Sequence, residues 1–234
     1  MTWQAAPRNR IGIVLPSSNT VLEPLAHSQL IGTGISAHVS RLGVVDVSLD
    51  PASLAQFQLQ RHIEAVRLLV DAAVDVVVWG GTSSSWLGFE HDREWCKAVR
   101  TENGVSANTC VLEMNRRLAE CGAKRIGLVT PYTADIQSRI IENYFGIGFD
   151  CLAEAHHGGT LSNDYASISP SRIADMVRSV AKSGPDAILI MCTNMRGAEV
   201  AEALERELMI PIIDSAAATV WAGLRCLTED VRGA

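Results

Sequence analysis

Apolar runs rich in valine and isoleucine, without polar alternation, recur along the chain and are separated by amphipathic stretches. Runs of this kind suit strands buried on both faces of a parallel sheet, and the stretches between them suit covering helices. The pattern predicts strands at 11–15, 35–39, 74–79, 107–109, 126–130, 151–155, 187–191 and 211–214. It predicts helices at 21–30, 52–72, 90–101, 111–121, 133–145, 170–183, 196–208 and 216–228. Residues 52–72 are expected to form one helix, because Leu54, Phe57, Ile63, Val66, Leu69 and Val70 fall near one face. Gly122 and Gly184 stand where a helix would hand over to the next strand. The class expected is α/β throughout.

The runs also repeat. Arg10-Ile-Gly-Ile-Val-Leu-Pro16 returns 115 residues later as Arg125-Ile-Gly-Leu-Val-Thr-Pro131. Asp75-Val-Val-Val-Trp-Gly-Gly81-Thr82 returns 111 residues later as Asp186-Ala-Ile-Leu-Ile-Met-Cys192-Thr193. Two matches in the same order point to duplication rather than to chance likeness among valine-rich strands. The chain is therefore read as an N-terminal half, 1–121, and a C-terminal half, 122–234, with the last helix free to pack back on the first half. If the halves face each other across a pseudo-two-fold axis, the loops after the repeated strands meet in one cleft. That is where parallel α/β sheets bind ligands.

Composition narrows the function. The chain has 234 residues, enough for one large domain or two small halves, and is 47% hydrophobic and 20% charged, which excludes a disordered chain. A net charge of −6 without a Lys/Arg cluster argues against nucleic acid or an anionic membrane as partner. No apolar run reaches the roughly 18 residues of a membrane span. The first ten residues lack a signal-peptide pattern, so the expected compartment is the cytoplasm. The six cysteines show no CxxC or zinc-like spacing, and His156-His157 is the closest histidine pair. Gly80-Gly81-Thr82-Ser83 matches neither a P-loop nor GxGxxG. No metal and no cofactor are expected. The sequence leaves homo-oligomerisation open.

The loops after the repeated strands carry the chemistry. They contain Ser17, Ser18, Asn19 and Thr20; Gly81, Thr82 and Ser83; Tyr132 and Thr133; and Cys192, Thr193 and Asn194. Any one of them could be a helix cap or a turn. Four neutral, hydroxyl- and amide-rich loops at equivalent strand ends exceed what capping requires, and they suit a small carboxylate. Cys192 follows a wholly apolar run and precedes a helix expected to open near Arg196-Gly197. The N–H groups of that helix should lower its pKa and make it the catalytic thiol. The other five cysteines read as packing, and the tryptophans as core or cleft wall.

These residues resemble a known group. The Pro16-Ser-Ser-Asn-Thr20 loop, the Gly-Thr-Ser at 81–83, Pro131-Tyr132 and Cys192 are similar to the aspartate/glutamate racemase superfamily, in its maleate cis-trans isomerase and arylmalonate decarboxylase branch. The similarity covers nearly the whole chain. It implies two Rossmann-like halves with a cofactor-free active site between them. Racemases and maleate isomerases of this group carry a cysteine in each half, whereas here Cys192 is paired with Gly81. That pairing resembles the decarboxylases, in which one cysteine donates a proton, and it implies that Thr82, Ser83 and Tyr132 hold a carboxylate. The first loop resembles maleate isomerases instead, which implies that Asn19 contacts a substrate carboxylate, with Asn163 as a second such asparagine.

Two-base racemisation needs an acid on each face of a carbanion, and Gly81 offers none. Decarboxylation needs one proton donor and a pocket that stabilises an enediolate, with Gly81 leaving room for the departing carboxylate or a substituent. The leading expectation is a cofactor-independent lyase acting on a small malonate-type dicarboxylate. A maleate-isomerase-like enzyme using Cys192 as lone nucleophile, and a non-catalytic module binding a small carboxylate, stand beside it.

Overall fold

Among the described residues eight strands form, each overlapping a stretch predicted as strand. In the computed structural model, residues 9–233 are described, with side chains as far as Glu229; residues 1–8 of the N-terminal stretch read above lie outside. The strands are β1 (Asn9–Pro16), β2 (Ile35–Leu42), β3 (Val76–Trp79), β4 (Ser106–Thr109), β5 (Arg125–Thr130), β6 (Asp150–His156), β7 (Ala187–Ile190) and β8 (Ile212–Asp214). They make two four-stranded sheets, in the orders β2-β1-β3-β4 and β6-β5-β7-β8, parallel throughout.

The duplication is visible in the register. Ile11 pairs with Val76 in the first sheet and Ile126 with Ala187 in the second, which are corresponding positions of the two sequence repeats. The repeated aspartates do the same work in both sheets. Asp75 accepts the Arg10 N–H at 2.6 Å, and Asp186 accepts the Arg125 N–H at 2.8 Å.

Helices cover the sheets: α1 (Leu22–Leu30), α2 (Pro51–Leu54), α3 (Leu59–Asp71), α4 (Ser84–Leu87), α5 (Glu90–Asn103), α6 (Cys110–Glu120), α7 (Ala134–Gly146), α8 (Pro170–Ala181), α9 (Ala198–Leu208) and α10 (Ser215–Gly233). Gly122 and Gly184 have φ of 68° and 64°, the left-handed geometry that ends a helix with least strain in glycine. The expected single helix over 52–72 is broken. Gln58, at φ −61° and ψ 135°, separates α2 and a 3₁₀ turn (Ala55–Phe57) from α3. The Gln56 amide accounts for the break, accepting the Val45 N–H at 2.9 Å and donating to the Asp46 carbonyl at 3.2 Å. Those bonds tie the turn to the loop after β2. Helix α4 and a 3₁₀ turn at Ser162–Ser167 were not expected.

Helix α10 starts at the end of β8 yet lies against the first sheet. Its Ala216, Val220 and Ala222 are buried in one cluster with Ile11 and Ile13 of β1 and Val76 and Val78 of β3. Fully buried Glu113 on α6 fixes it there, accepting from Arg225 Nε and Nη2 at 2.9 Å each. Among the described residues no helix is long and apolar enough to cross a membrane.

Candidate active site

The repeated strand ends meet. Thr193 Oγ1, after β7, donates to the Gly80 carbonyl, after β3, at 2.8 Å. Asn19 Nδ2, after β1, donates to Thr193 Oγ1 at 3.0 Å. Thr82 Oγ1 and the Tyr132 phenol, one from each half, lie 2.6 Å apart. The pocket between the sheets is lined by Asn19, Gly81, Thr82, Ser83, Tyr132, Cys192, Thr193 and Asn194. The structure therefore brings together Cys192 and seven of the loop residues singled out with it in the sequence.

Ser17 and Asn163 do not line the pocket. Both are exposed, and Ser17 Oγ accepts the Val44 N–H at 3.2 Å. Ser162, beside Asn163, lines the pocket, and its carbonyl accepts from Asn194 Nδ2 at 2.6 Å. Asn19 and Asn194 are themselves engaged in joining the structure. Asn19 Oδ1 accepts the N–H groups of Val21 and Leu22 at the start of α1, and Asn194 Oδ1 accepts the Thr20 N–H at 2.9 Å. Thr193 both donates and accepts through one hydroxyl. Ser83, Ser162 and the Thr82–Tyr132 pair bring further hydroxyls to the pocket.

The walls are apolar and come largely from residues the sequence did not single out for the site. Val44, Val47, Phe57 and Tyr165 join Trp79 and Trp86 in the lining. The aromatic rings pack edge to face, Trp86 on Tyr132 at 5.0 Å, Tyr132 on Tyr165 at 5.6 Å and Phe57 on Trp86 at 5.9 Å between centroids. Loops after β2 and β6 bring these walls together. Val47 N–H donates to the Thr160 carbonyl at 2.9 Å and Ser162 N–H to the Val45 carbonyl at 3.1 Å, around an antiparallel bridge from Asp46 to Leu161. This clasp leaves a cavity of about 20 Å³, room for a water molecule.

The Cys192 thiol lies at this pocket, 4% exposed. The expected lowering of its pKa is not found. Backbone N–H groups of Asn194 and Met195 and the Tyr132 phenol favour the thiolate, but burial outweighs them and pushes the thiol up to about 12. Burial, with Cys192 beside it, likewise raises the Tyr132 phenol well above its ordinary value. Both groups hold their protons at neutral pH.

The 81–84 loop is braced from behind. Cys110 Sγ donates to the Gly81 carbonyl at 2.9 Å. Fully buried Asp92 accepts from Ser84 Oγ at 2.7 Å and from Thr109 Oγ1. Burial raises the Asp92 carboxyl to about 6, with both hydroxyls pulling the other way. Room at Gly81 for a substrate group, expected from the sequence, is also not found. A Cβ built there would lie 2.2 Å from the Trp79 ring, so the indole already fills that space.

Comparisons with known proteins agree with this architecture. The maleate isomerase of Nocardia farcinica is 28% identical over 228 residues, covering 93% of this chain and 90% of that protein. The arylmalonate decarboxylase of Bordetella bronchiseptica is 24% identical over 168 residues, covering 69% of this chain and 68% of that protein. A crystal structure of the Nocardia farcinica isomerase, a cysteine-to-serine mutant with a covalently bound succinylcysteine intermediate, superimposes with a TM-score of 0.84 at 24% identity. It covers 94% of this chain and 93% of that one. The family model described as arylmalonate decarboxylase matches residues 11–234. With two parallel sheets meeting at one thiol-bearing cleft, this chain belongs to the arylmalonate decarboxylase family.

Proposed function

We propose that the protein is a cofactor-independent decarboxylase of a small malonate-type dicarboxylate, with Cys192 as its proton donor. The observation that carries this reading is a single protonated thiol at the duplicated strand ends. Cys192 is held neutral in a pocket walled by aromatic rings, and its counterpart is Gly81. A thiol that keeps its proton at neutral pH is an acid ready to donate and a poor ground-state nucleophile.

The chemistry follows from the lining. The Thr82–Tyr132 pair and the Ser83 hydroxyl hold one carboxylate, while the other faces the apolar wall. The bond from the α-carbon to that second carboxylate breaks, CO₂ leaves, and the electron pair spreads onto the retained carboxylate as an enediolate. Donors already in place stabilise the new charge, each contributing about 3 kcal/mol. The Cys192 proton moves to the α-carbon, and the resulting thiolate regains a proton from water. Asn19, Thr193 and Asn194 keep the two halves in register around these groups.

Maleate isomerisation is a second reading, supported by the Pro16–Thr20 loop and by the Nocardia farcinica relative. It needs Cys192 as a nucleophile, which burial disfavours. Proton NMR in D₂O with EDTA present, using phenylmalonate, methylmalonate and maleate, separates the readings. Monoacid carrying deuterium at the α-carbon supports decarboxylation, and fumarate supports isomerisation. Saturable binding without turnover of any of the three would leave only a binding module.

A further inference from the structure

The two halves differ at the ends of β3 and β7. Trp79-Gly80-Gly81 stands in the first half where Ile190-Met191-Cys192 stands in the second. Gly81 is not in the left-handed region, so its backbone would accept any residue. What excludes a side chain there is the Trp79 indole, whose Cζ2 and Cε2 lie 2.2 and 2.5 Å from a Cβ built at Gly81. Several contacts keep the indole in that place. Its Nε1 donates to Ser83 Oγ at 3.3 Å, and the His62 imidazole packs edge-on at 4.5 Å between centroids. His62 is fully buried, with neither ring nitrogen hydrogen-bonded among the described residues, so it serves as a wedge behind the indole. Trp79, Gly81 and Cys192 line the same pocket. Gly81 and Cys192 are corresponding positions of the two repeats, and the indole fills the space that a side chain at position 81 would take.

We infer that Trp79 determines the stereochemistry of the reaction: its indole shuts the cleft face opposite Cys192 to any side chain at position 81 and to water. A carbanion formed in the cleft is then protonated from the Cys192 face alone, and a prochiral substrate gives one enantiomer. This inference rests on the decarboxylase reading. The enlarged indole and the missing side chain act as one device, as the aliphatic Ile190 and the Cys192 thiol do in the other half.

Two measurements test it. The first is an unfolding cycle, which needs no turnover: Gly81→Ala is made in the wild type and in Trp79→Phe, with Trp79→Ile as a second background. Overpacking should lower the midpoint by roughly 3–10 °C beside the intact indole, and by less than half as much once the ring is reduced. Equal shifts in all backgrounds would overturn the steric half of the inference. The second is chiral analysis of the acid formed from 2-methyl-2-phenylmalonate. Wild type should give one enantiomer, and Trp79→Phe at least about a tenfold larger minor fraction, as a lost protonation barrier of that size requires. A racemic wild-type product, or an equally pure product from Trp79→Phe, would overturn the inference. An enzyme that passes the unfolding cycle but turns over no malonate would instead remove the decarboxylase reading and the stereochemical half with it.

Discussion

The Thr82 hydroxyl and the Tyr132 phenol lie 2.6 Å apart at the seam between the two sheets. Thr82 follows β3 and Tyr132 follows β5, so neither half builds this pair alone. The phenol also reaches Cys192. One chain of contacts thus joins the hydroxyls proposed to hold the carboxylate to the thiol proposed as proton donor.

Tyr132→Phe and Thr82→Val each remove one member of that chain with little change of shape. Each should lower kcat by about a hundredfold or more while KM changes severalfold at most, the pattern of a donor that acts on the developing charge. Steady-state kinetics on phenylmalonate would show it. A change confined to KM would mean that the pair only holds the ground-state carboxylate.

The raised Cys192 pKa is open to alkylation kinetics. Because the thiolate is the reactive form, iodoacetamide labelling of Cys192 should rise with pH without levelling off up to about pH 10. Mass spectrometry can follow it beside exposed Cys121 in the same molecule. A plateau near pH 8 would show a thiol of ordinary or lowered pKa and would favour the nucleophile of an isomerase.

Buried Asp92 makes stability depend on pH in a defined direction. Its folded pKa of about 6 lies above the unfolded value of about 3.9, so the native state holds the extra proton between those values. Stability from this carboxyl is full below about pH 4 and falls as pH rises toward 6, by up to about 3 kcal/mol. Asp92→Asn keeps an oxygen for Ser84 and Thr109 without the charge. Its midpoint relative to wild type should climb by several degrees between pH 4.5 and 7. A constant difference would contradict the assignment.

A thiol at position 81 needs the indole moved first. Gly81→Cys alone should fold poorly. Trp79→Ile/Gly81→Cys, which copies the Ile190–Cys192 arrangement, should fold and place acids on both faces of the cleft. Exchange of the α-proton of either enantiomer of 2-phenylpropionate in D₂O should then exceed the wild-type rate by at least about tenfold, given a second general acid. A folded double variant with wild-type exchange would mean that positions 81 and 192 do not face a common carbon.

Much of the fold was legible because doubly covered parallel strands leave uninterrupted Val/Ile runs. The structure adds that the register is the same in both sheets, Ile11 on Val76 and Ile126 on Ala187. The break at Gln58 was not legible. Leu54 and Phe57 keep helical spacing with Ile63, and only the distant contacts of Gln56 with Val45 and Asp46 end the helix. Helix α4 was hidden in a serine-rich stretch that reads equally as loop. In the site, the strand-end hydroxyls and the thiol could be found because duplication marks them. Val44, Phe57 and Tyr165 could not, since they come from loops that no repeat links and meet only through the clasp. The glycine at position 81 is legible but its cause is not, because sequence does not say where the Trp79 ring turns. The direction of the Cys192 shift is not legible for a similar reason. Helix-end N–H groups can be anticipated from sequence, whereas the burial that outweighs them cannot.

Cys192 as the single proton donor is tested most directly by comparing wild type with Cys192→Ala on phenylmalonate in D₂O. Bond cleavage and α-carbon deuteration are followed together by proton NMR. Wild type should release phenylacetate carrying one deuterium at the α-carbon, and Cys192→Ala should turn over at least about a hundredfold more slowly, as loss of a general acid requires. Binding of the dicarboxylate should survive in the variant. A Cys192→Ala enzyme that decarboxylates at a near-normal rate would contradict the account.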